Sequence, residues 1–250
     1  MGRVTTSKSS SSGRSWNWLD ARLAELAVEY RLPAEATTKL RTLLAALGHP
    51  EAPTTVRDPS HGVDVHIADS LSGLPVIDAE NPKAIADLGA GAGLPSLVIA
   101  AARPAIQVTA VEGVKRKAAF IRSTAEAMQL TNVDVVALRA EEWREGLGRC
   151  DVVCARALAA MPVLLEYAAP LLREGGAMVA WKGTIDETEA ADATVAAAEL
   201  GLAAESVLPV RPFAGSERRT LHVYRKVMET PTRYPRRPGI ATKRPLSATK

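Results

Sequence analysis

Three glycines at alternate positions form the stretch of this chain best suited to chemistry. Gly89, Gly91 and Gly93 follow a short apolar run at 84–88 and precede an apolar segment at 94–102. Glycine has no Cβ, so the backbone of such a loop can approach a ligand closely. The first turn of a following helix also presents free N–H groups to that ligand. The pattern therefore predicts a strand, a loop and a helix that together cradle a nucleotide-like molecule.

Two carboxylates accompany this loop. Asp87 lies two residues before the first glycine, and Glu112 ends the next strand-like run at 106–111. An acid at that place, about 20 residues beyond the loop, hydrogen-bonds a ribose in dinucleotide-binding folds. We therefore expect Asp87, Gly91, Gly93 and Glu112 to contribute to binding an adenosine-containing cofactor.

The glycine spacing narrows the choice of cofactor. It reads G-x-G-x-G, whereas dinucleotide-binding loops read G-x-G-x-x-G, and no Gly-Lys-Ser/Thr of a P-loop is present. An Asp-x-Gly-x-Gly-x-Gly loop followed by an acid at the end of the next strand is typical of S-adenosylmethionine-dependent methyltransferases. We predict S-adenosylmethionine as the cofactor and no metal. An NAD-dependent oxidoreductase is the less favoured alternative.

Strands and helices alternate after residue 84, which predicts an α/β fold with a doubly wound, Rossmann-like parallel sheet. Gly175 and Gly176 are expected to turn the chain into the fifth strand. The last two strands are joined only by a loop, so they should pair antiparallel. Strands are predicted at 84–88, 106–112, 133–138, 151–155, 177–181, 203–210 and 219–226, and helices at 95–103, 114–129, 162–172 and 186–200.

Flanking segments surround this predicted methyltransferase domain at 76–227. Residues 1–15 are rich in serine and should be disordered. Leucines at helical spacing predict two helices within an N-terminal helical extension at 16–75, the second closed by Gly48. A basic tail at 228–250 follows the sheet.

Several polar residues interrupt an apolar, helix-like segment at 63–71. His66, Asp69 and Ser70 stand at i, i+3 and i+4, so His66 can share a helix face with the other two. We favour a buried structural network over a functional cluster. As an alternative, His66 and Asp69 lie at the edge of the substrate site.

Composition limits the class of protein. The chain has 250 residues, of which 47% are hydrophobic, and no apolar run reaches the length of a membrane span. The N-terminus lacks the apolar core of a signal peptide. Cys150 and Cys154 fall in one predicted strand, where their side chains cannot meet. We expect a monomeric protein of the reducing cytoplasm.

The net charge of +3 conceals an uneven distribution. Residues 225–250 hold eight basic residues and one acid, and residues 1–15 hold three basic residues and no acid. The part between them is therefore acidic. Basic ends on an acidic body suggest a polyanionic partner, although a solubilising tail explains the same charges equally well.

Several motifs follow one another in a fixed order: His66–Leu71, Asp87–Pro95, Glu112–Phe120, Arg139–Glu142, Ala155–Leu158 and Trp181–Gly183. In these motifs the chain resembles the ribosomal RNA small subunit methyltransferase G family, also called glucose-inhibited division protein B. The resemblance extends from about residue 16 to 227, and the basic tail is similar to tails in that family.

The resemblance implies methylation of guanine N7 at guanosine 527 of 16S rRNA, in the small ribosomal subunit or an assembly intermediate. Guanine N7 has a lone pair and no proton, so it can attack a methyl group without a general base. Catalysis then depends on positioning and electrostatics. The alternatives are a small-molecule methyltransferase and a non-enzymatic RNA-binding assembly factor.

The resemblance also implies roles for individual residues. Gly89 and Leu94 would line the cofactor loop, Ala140 and Glu141 would contact the adenine side, and Arg156 would reach both cofactor and substrate. Arg156, Arg139 and Lys182 are the candidate catalytic residues, because each follows a predicted strand at the edge where open α/β sheets bind ligands. His66, Arg139 and Lys182 are the candidate substrate-binding residues. For Arg139 and Lys182, a role in surface ion pairs is an alternative.

Two positions depart from the family pattern. Ser96 replaces a glycine after the loop, and we expect its small side chain to help cap the next helix. Ala52 stands where relatives carry an asparagine, so the function of that amide is lost or supplied elsewhere.

Overall fold

The computed structural model describes residues 12–248, with side chains from residue 18 onward. Its centre is a seven-stranded sheet in the order β3-β2-β1-β4-β5-β7-β6. The first five strands run parallel, and β7 pairs antiparallel with both β5 and β6. The predicted fold class and its antiparallel last pair are thereby confirmed. The strands are β1 (Ala84–Leu88), β2 (Gln107–Val111), β3 (Val133–Val136), β4 (Cys150–Arg156), β5 (Leu172–Lys182), β6 (Leu202–Val210) and β7 (Arg219–Lys226).

Helices cover both faces of this sheet, as expected when parallel strands are joined by helical crossovers. No helix within residues 12–248 is long and apolar enough to cross a membrane. A π-helical segment, Val63–Ala68, lies between two short helices of the N-terminal extension. The helices are α1 (Ser12–Glu29), α2 (Ala36–Leu47), α3 (Pro59–Gly62), α4 (Asp69–Leu71), α5 (Leu74–Ala79), α6 (Ser96–Ala102), α7 (Lys115–Ala127), α8 (Met161–Ala168), α9 (Glu187–Leu200) and α10 (Ile240–Lys243).

The N-terminal helices share one hydrophobic core with a face of the sheet. Leu23 of α1 and Leu43 of α2 pack in the same cluster as Ile85, Val108 and Val152 of the central strands. The opposite face packs against α8 and α9 in a second cluster. The extension is therefore part of the scaffold that positions the strand ends.

Two predictions of local structure need correction. Residues 12–15 belong to α1, whereas the rest of the predicted disordered segment, 1–11, lies outside the described residues. Gly175 and Gly176 do not precede the fifth strand but form an irregularity within β5, where the register to β4 shifts. In the basic tail, residues 231–248 pack against α8 and α9 and include α10.

Asp87 of β1 is bonded to the start of the helix that follows the glycine loop. Its side chain is fully buried, and Oδ2 accepts a hydrogen bond of 3.0 Å from the backbone N–H of Ser96 at the start of α6. Burial raises the pKa of this carboxyl to about 7. Ser96 is itself fully buried, and its hydroxyl forms no hydrogen bond among the described residues. The predicted capping role of the Ser96 side chain is therefore wrong; what the position requires is small size.

Asp87→Asn should change how stability depends on pH. Because the folded-state pKa of Asp87 lies above its unfolded value, the neutral acid stabilises the fold below about pH 4, and that contribution is lost as pH rises through 7. The free energy of unfolding of Asp87→Asn relative to wild type should rise by about 2–4 kcal/mol from pH 4 to pH 8. Urea unfolding at several pH values measures this difference. A difference that does not vary with pH would contradict the assignment.

Candidate active site

A cleft of about 600 Å³ opens at the carboxyl ends of the parallel strands. Its size is typical of a small-ligand site, and its place is where open α/β sheets bind ligands. Nine of the twelve residues predicted from the sequence line it. They are His66, Gly89, Gly91, Leu94, Glu112, Arg139, Ala140, Glu141 and Arg156.

The side chain of Glu112 links the glycine loop to the residue that precedes α7. This side chain is buried, and the carboxylate accepts hydrogen bonds from Gly91 N–H at 2.9 Å and from Val114 N–H at 2.8 Å. A carboxylate has about four acceptor positions. Two therefore remain for ligand hydroxyl groups, which is what ribose recognition requires.

Gly89 and Gly91 both adopt left-handed backbone conformations, with φ of +65° and +60°. A Cβ on Gly89 would lie 2.4 Å from Leu158, whereas a Cβ on Gly91 would meet nothing closer than 3.7 Å. The first glycine therefore leaves room for the Leu158 side chain, in the segment that follows β4. The second leaves open space in the cleft wall that a bound molecule can occupy.

Glu141 lines the cleft next to Ala140. It follows β3 in a single 3₁₀ turn, and its side chain is only 5% exposed. Its Oε1 accepts a hydrogen bond of 3.0 Å from the backbone N–H of Gly239. Val111 and Leu138 also line the cleft. Apolar side chains and a carboxylate are the kinds of group that can hold an aromatic base.

Arg156 is fixed at the end of β4 by a buried carboxylate. Its Nη1 donates to Asp69 Oδ2 at 2.8 Å and to the Val65 carbonyl at 3.2 Å. Asp69 is 2% exposed and also forms an ion pair of 3.2 Å with Arg219. Both partners of Arg156 come from the π-helical segment or the residue after it, a geometry that often marks functional sites. The donors on Nε and Nη2 form no bond within the described residues and remain available to a ligand.

His66 is a neutral imidazole in the cleft wall. Burial lowers its pKa, and its Nε2 lies 3.0 Å from the Val56 carbonyl and 3.3 Å from the Thr54 hydroxyl. Because the carbonyl only accepts, we assign the proton to Nε2. Nδ1 is then an acceptor, and it has no partner among the described residues. The predicted network exists, but it links Asp69 to Arg156 and His66 to the preceding loop.

Three predicted residues do not line the cleft. Asp87 and Gly93 lie behind the loop, where Asp87 holds Ser96 and Leu97 fills the space beside Gly93. Lys182 is the third: its Nζ lies 2.6 Å from Glu189 Oε1 of α9. The prediction that Lys182 is catalytic or binds substrate is therefore unsupported, because its amine is already held by an acid outside the cleft.

The structure adds residues that the sequence did not indicate. Thr54, Leu158 and Tyr167 line the cleft, as does Lys117 of α7. Ala157 has a φ of +53°, an uncommon conformation for a residue with a Cβ. In the sequence, the signal for the segment after β4 was the position of Ala157 directly after Arg156 at a predicted strand end. Thr54 occupies the loop that carries Ala52, and its hydroxyl bonds to the Val56 amide at 3.2 Å.

These features fit S-adenosylmethionine. Glu112 can receive the ribose hydroxyls, the open side of Gly91 leaves room for the ligand, and the apolar region beside Glu141 can hold the adenine. Among the described residues, no group of three or more His, Cys, Asp or Glu could hold a metal ion.

Comparisons with known proteins give the same result. The family described as "rRNA small subunit methyltransferase G" matches residues 35–215. The chain is 43% identical over 184 residues to ribosomal RNA small subunit methyltransferase G of Deinococcus deserti, covering 72% of this chain and 75% of that one. It is 42% identical over 196 residues to the protein of the same name in Rubrobacter xylanophilus, covering 76% and 75%.

Solved structures resemble the fold at low sequence identity. Geranyl diphosphate C-methyltransferase from Streptomyces coelicolor A3(2), solved with S-adenosyl-L-homocysteine, matches with a TM-score of 0.52 at 14% identity, covering 73% of this chain and 84% of that one. A SAM dependent methyltransferase from Aquifex aeolicus matches with a TM-score of 0.51 at 13% identity, covering 74% and 97%. The fold, the cleft and the relatives agree, and the chain belongs to the rRNA small subunit methyltransferase G family.

Proposed function

We propose that this chain transfers the methyl group of S-adenosylmethionine to N7 of a guanine in 16S rRNA, at guanosine 527. The observation that carries the proposal is Arg156, which Asp69 and the Val65 carbonyl fix at the cleft with three N–H donors left over. The cofactor supplies an electrophilic methyl group on a sulfonium. The protein has to orient a base that already carries its nucleophilic lone pair.

Arg156 orients the guanine by donating to O6, and N7 stays free to receive the methyl group. A full positive charge beside N7 would weaken it as a nucleophile. The Asp69 carboxylate at 2.8 Å offsets that charge, so the arginine can donate hydrogen bonds without a large electrostatic cost to the reaction. His66 lines the same cleft and bonds to Thr54 and Val56 of the loop beside it.

Lys117 and Arg139 bind the RNA backbone at the mouth of the cleft. Both line the cleft, and neither forms an ion pair with another described residue. Arginine and lysine that remain unpaired in the protein are suited to phosphate contacts. A binding surface of this kind favours RNA over a small-molecule acceptor.

The substrate assignment is tested by comparing 16S rRNA from cells with and without the gene. We expect 7-methylguanosine at position 527 to disappear without the gene and to return with the wild-type copy. Arg156→Lys should not restore it fully, because lysine cannot reproduce the guanidinium fork, and kcat/KM for methyl transfer should fall about 10–100-fold. Unchanged modification in the deletion strain would remove the proposal. Full biological function of Arg156→Ala without methyl transfer would favour the assembly-factor alternative.

Glu112→Gln tests the cofactor assignment without measuring activity. The amide keeps one acceptor oxygen but loses the other, so the ribose hydroxyls and the two backbone amides now compete for it. We expect the affinity for S-adenosylhomocysteine to fall at least about 10-fold, because one hydrogen bond to a charged group contributes roughly 1.5–3 kcal/mol. Isothermal titration calorimetry measures the change. Equal affinities for variant and wild type would contradict ribose binding by Glu112.

Arg139→Met and Lys182→Met form a matched pair for the RNA surface. Each removes one positive charge from a strand end, but only Arg139 lines the cleft. The slope of log K against log salt should become shallower by about 0.7–0.9 for Arg139→Met, and it should not change for Lys182→Met. Filter binding to a 16S rRNA fragment gives both slopes. The reverse order would return Lys182 to the substrate site.

A further inference from the structure

Residues 231–248, here named the C-terminal strap, are held against the domain by a buried ion pair. Glu166 of α8 is only 1% exposed, and Arg236 of the strap binds both of its carboxylate oxygens. The Nε–Oε1 distance is 2.7 Å. A buried carboxylate is costly without such a partner, so this pair fixes where the strap crosses α8.

Arg236 also forms a hydrogen bond within the strap. Its Nη2 donates to the carbonyl of Arg244 at 2.8 Å, which closes the segment from 236 to 244 into a compact loop containing α10. Tyr234 is buried beside it, and the guanidinium of Arg236 lies 6.0 Å from the centre of the Tyr234 ring. Arg236 therefore determines the position of the whole loop.

Two residues of this loop contact the wall of the cleft. Gly239, in a left-handed conformation with φ of +79°, donates its N–H to Glu141 Oε1 at 3.0 Å. The hydroxyl of Thr242 lies 3.2 Å from that of Tyr167. Glu141 and Tyr167 both line the cleft. The strap is thus bonded to two cleft residues at the end assigned to the adenine.

We propose that the strap is part of the cofactor site and that Arg236 is a positioning residue for S-adenosylmethionine binding. Arg236 holds the Gly239 amide on Glu141 and Thr242 on Tyr167, so the adenine end of the cleft is formed before the cofactor arrives. Preorganisation of this kind reduces the ordering cost of binding. The inference rests on the proposed contact between Glu141 and the cofactor.

The ion pairs of the strap show which of its charged residues bind the domain and which face solvent. Arg233 pairs with Glu199 and Arg236 with Glu166, both acids of the domain. Arg237, Lys243 and Arg244 are exposed and form no ion pair within the described residues. Trypsin can cut after Lys243, which is exposed and followed by Arg244, whereas Pro238 and Pro245 block cleavage after Arg237 and Arg244. Cleavage after Lys243 therefore makes the position of the strap measurable.

Arg236→Met and Arg233→Met are the matched variants. Both remove an arginine from the strap, but the Arg233 side chain is 63% exposed and its partner Glu199 does not line the cleft. We expect Arg236→Met to weaken S-adenosylhomocysteine binding at least fivefold in calorimetry and to raise KM for S-adenosylmethionine with a smaller effect on kcat. Arg233→Met should change affinity less than twofold. Equal effects of the two variants, or none, would overturn the inference.

Arg236→Met leaves Glu166 buried without a partner and can destabilise the domain. The double variant Glu166→Leu/Arg236→Met removes that cost but still lacks the anchor. Its thermal unfolding temperature should lie above that of Arg236→Met, and its affinity for S-adenosylhomocysteine should remain at least fivefold weaker than wild type. Recovery of affinity together with stability would show that Arg236 acts only on folding and would overturn the inference.

Limited trypsin digestion and Glu141→Ala separate this inference from the proposed function. Because linkage is reciprocal, S-adenosylhomocysteine should slow cleavage after Lys243 of the wild-type chain. Unchanged cleavage in saturating ligand would overturn coupling between strap and site.

If Glu141→Ala weakens binding and Arg236→Met does not, only the strap inference fails. If Glu141→Ala binds as wild type does, the cofactor role of Glu141 fails, and the inference fails with it.

Discussion

The carboxylate of Asp69 joins the N-terminal helices to the catalytic edge of the sheet. It is 2% exposed and is paired with Arg156 of β4 and Arg219 of β7, while its backbone carbonyl accepts from the indole of Trp181 in β5 at 2.8 Å. One residue is thus bonded to β4, β5 and β7. Loss of one partner of such a buried pair typically costs about 3–5 kcal/mol. The helical extension is therefore required at the site: it sets the position of Arg156.

Three parts of the cleft, named here for their proposed contacts with ribose, adenine and acceptor, are ordered by different means. At the ribose end, Glu112 is held by backbone amides of the glycine loop, so local sequence alone determines its place. At the adenine end, Glu141 is held by Gly239, which is 98 residues away in the sequence. At the acceptor end, Arg156 depends on a residue 87 positions earlier. The cofactor loop is thus a local structure, and the residues around it are positioned by tertiary contacts.

This division explains what the sequence could predict. Alternating strands and helices, the glycine spacing and Glu112 all lie in short windows, and they sufficed for the fold class and the cofactor. A surface ion pair was an open alternative for Lys182, but the sequence could not identify its partner, because a strand end in the right place does not reveal which acid a neighbouring helix brings near. The charge of the basic tail left a polyanionic partner and a solubilising role equally open, and it could not show that two of its arginines bind acids of the domain itself.

The proposed activity of this cleft, methylation of one guanine of 16S rRNA at N7, can be tested directly on the substrate. Small ribosomal subunits lacking the modification can be treated with the purified chain and methyl-labelled S-adenosylmethionine, and the labelled nucleotide then mapped by nuclease digestion and mass spectrometry. The account predicts one labelled nucleotide, 7-methylguanosine, at position 527. Label on a different atom or at a different position, or no transfer to RNA by a chain that binds the cofactor, would contradict it.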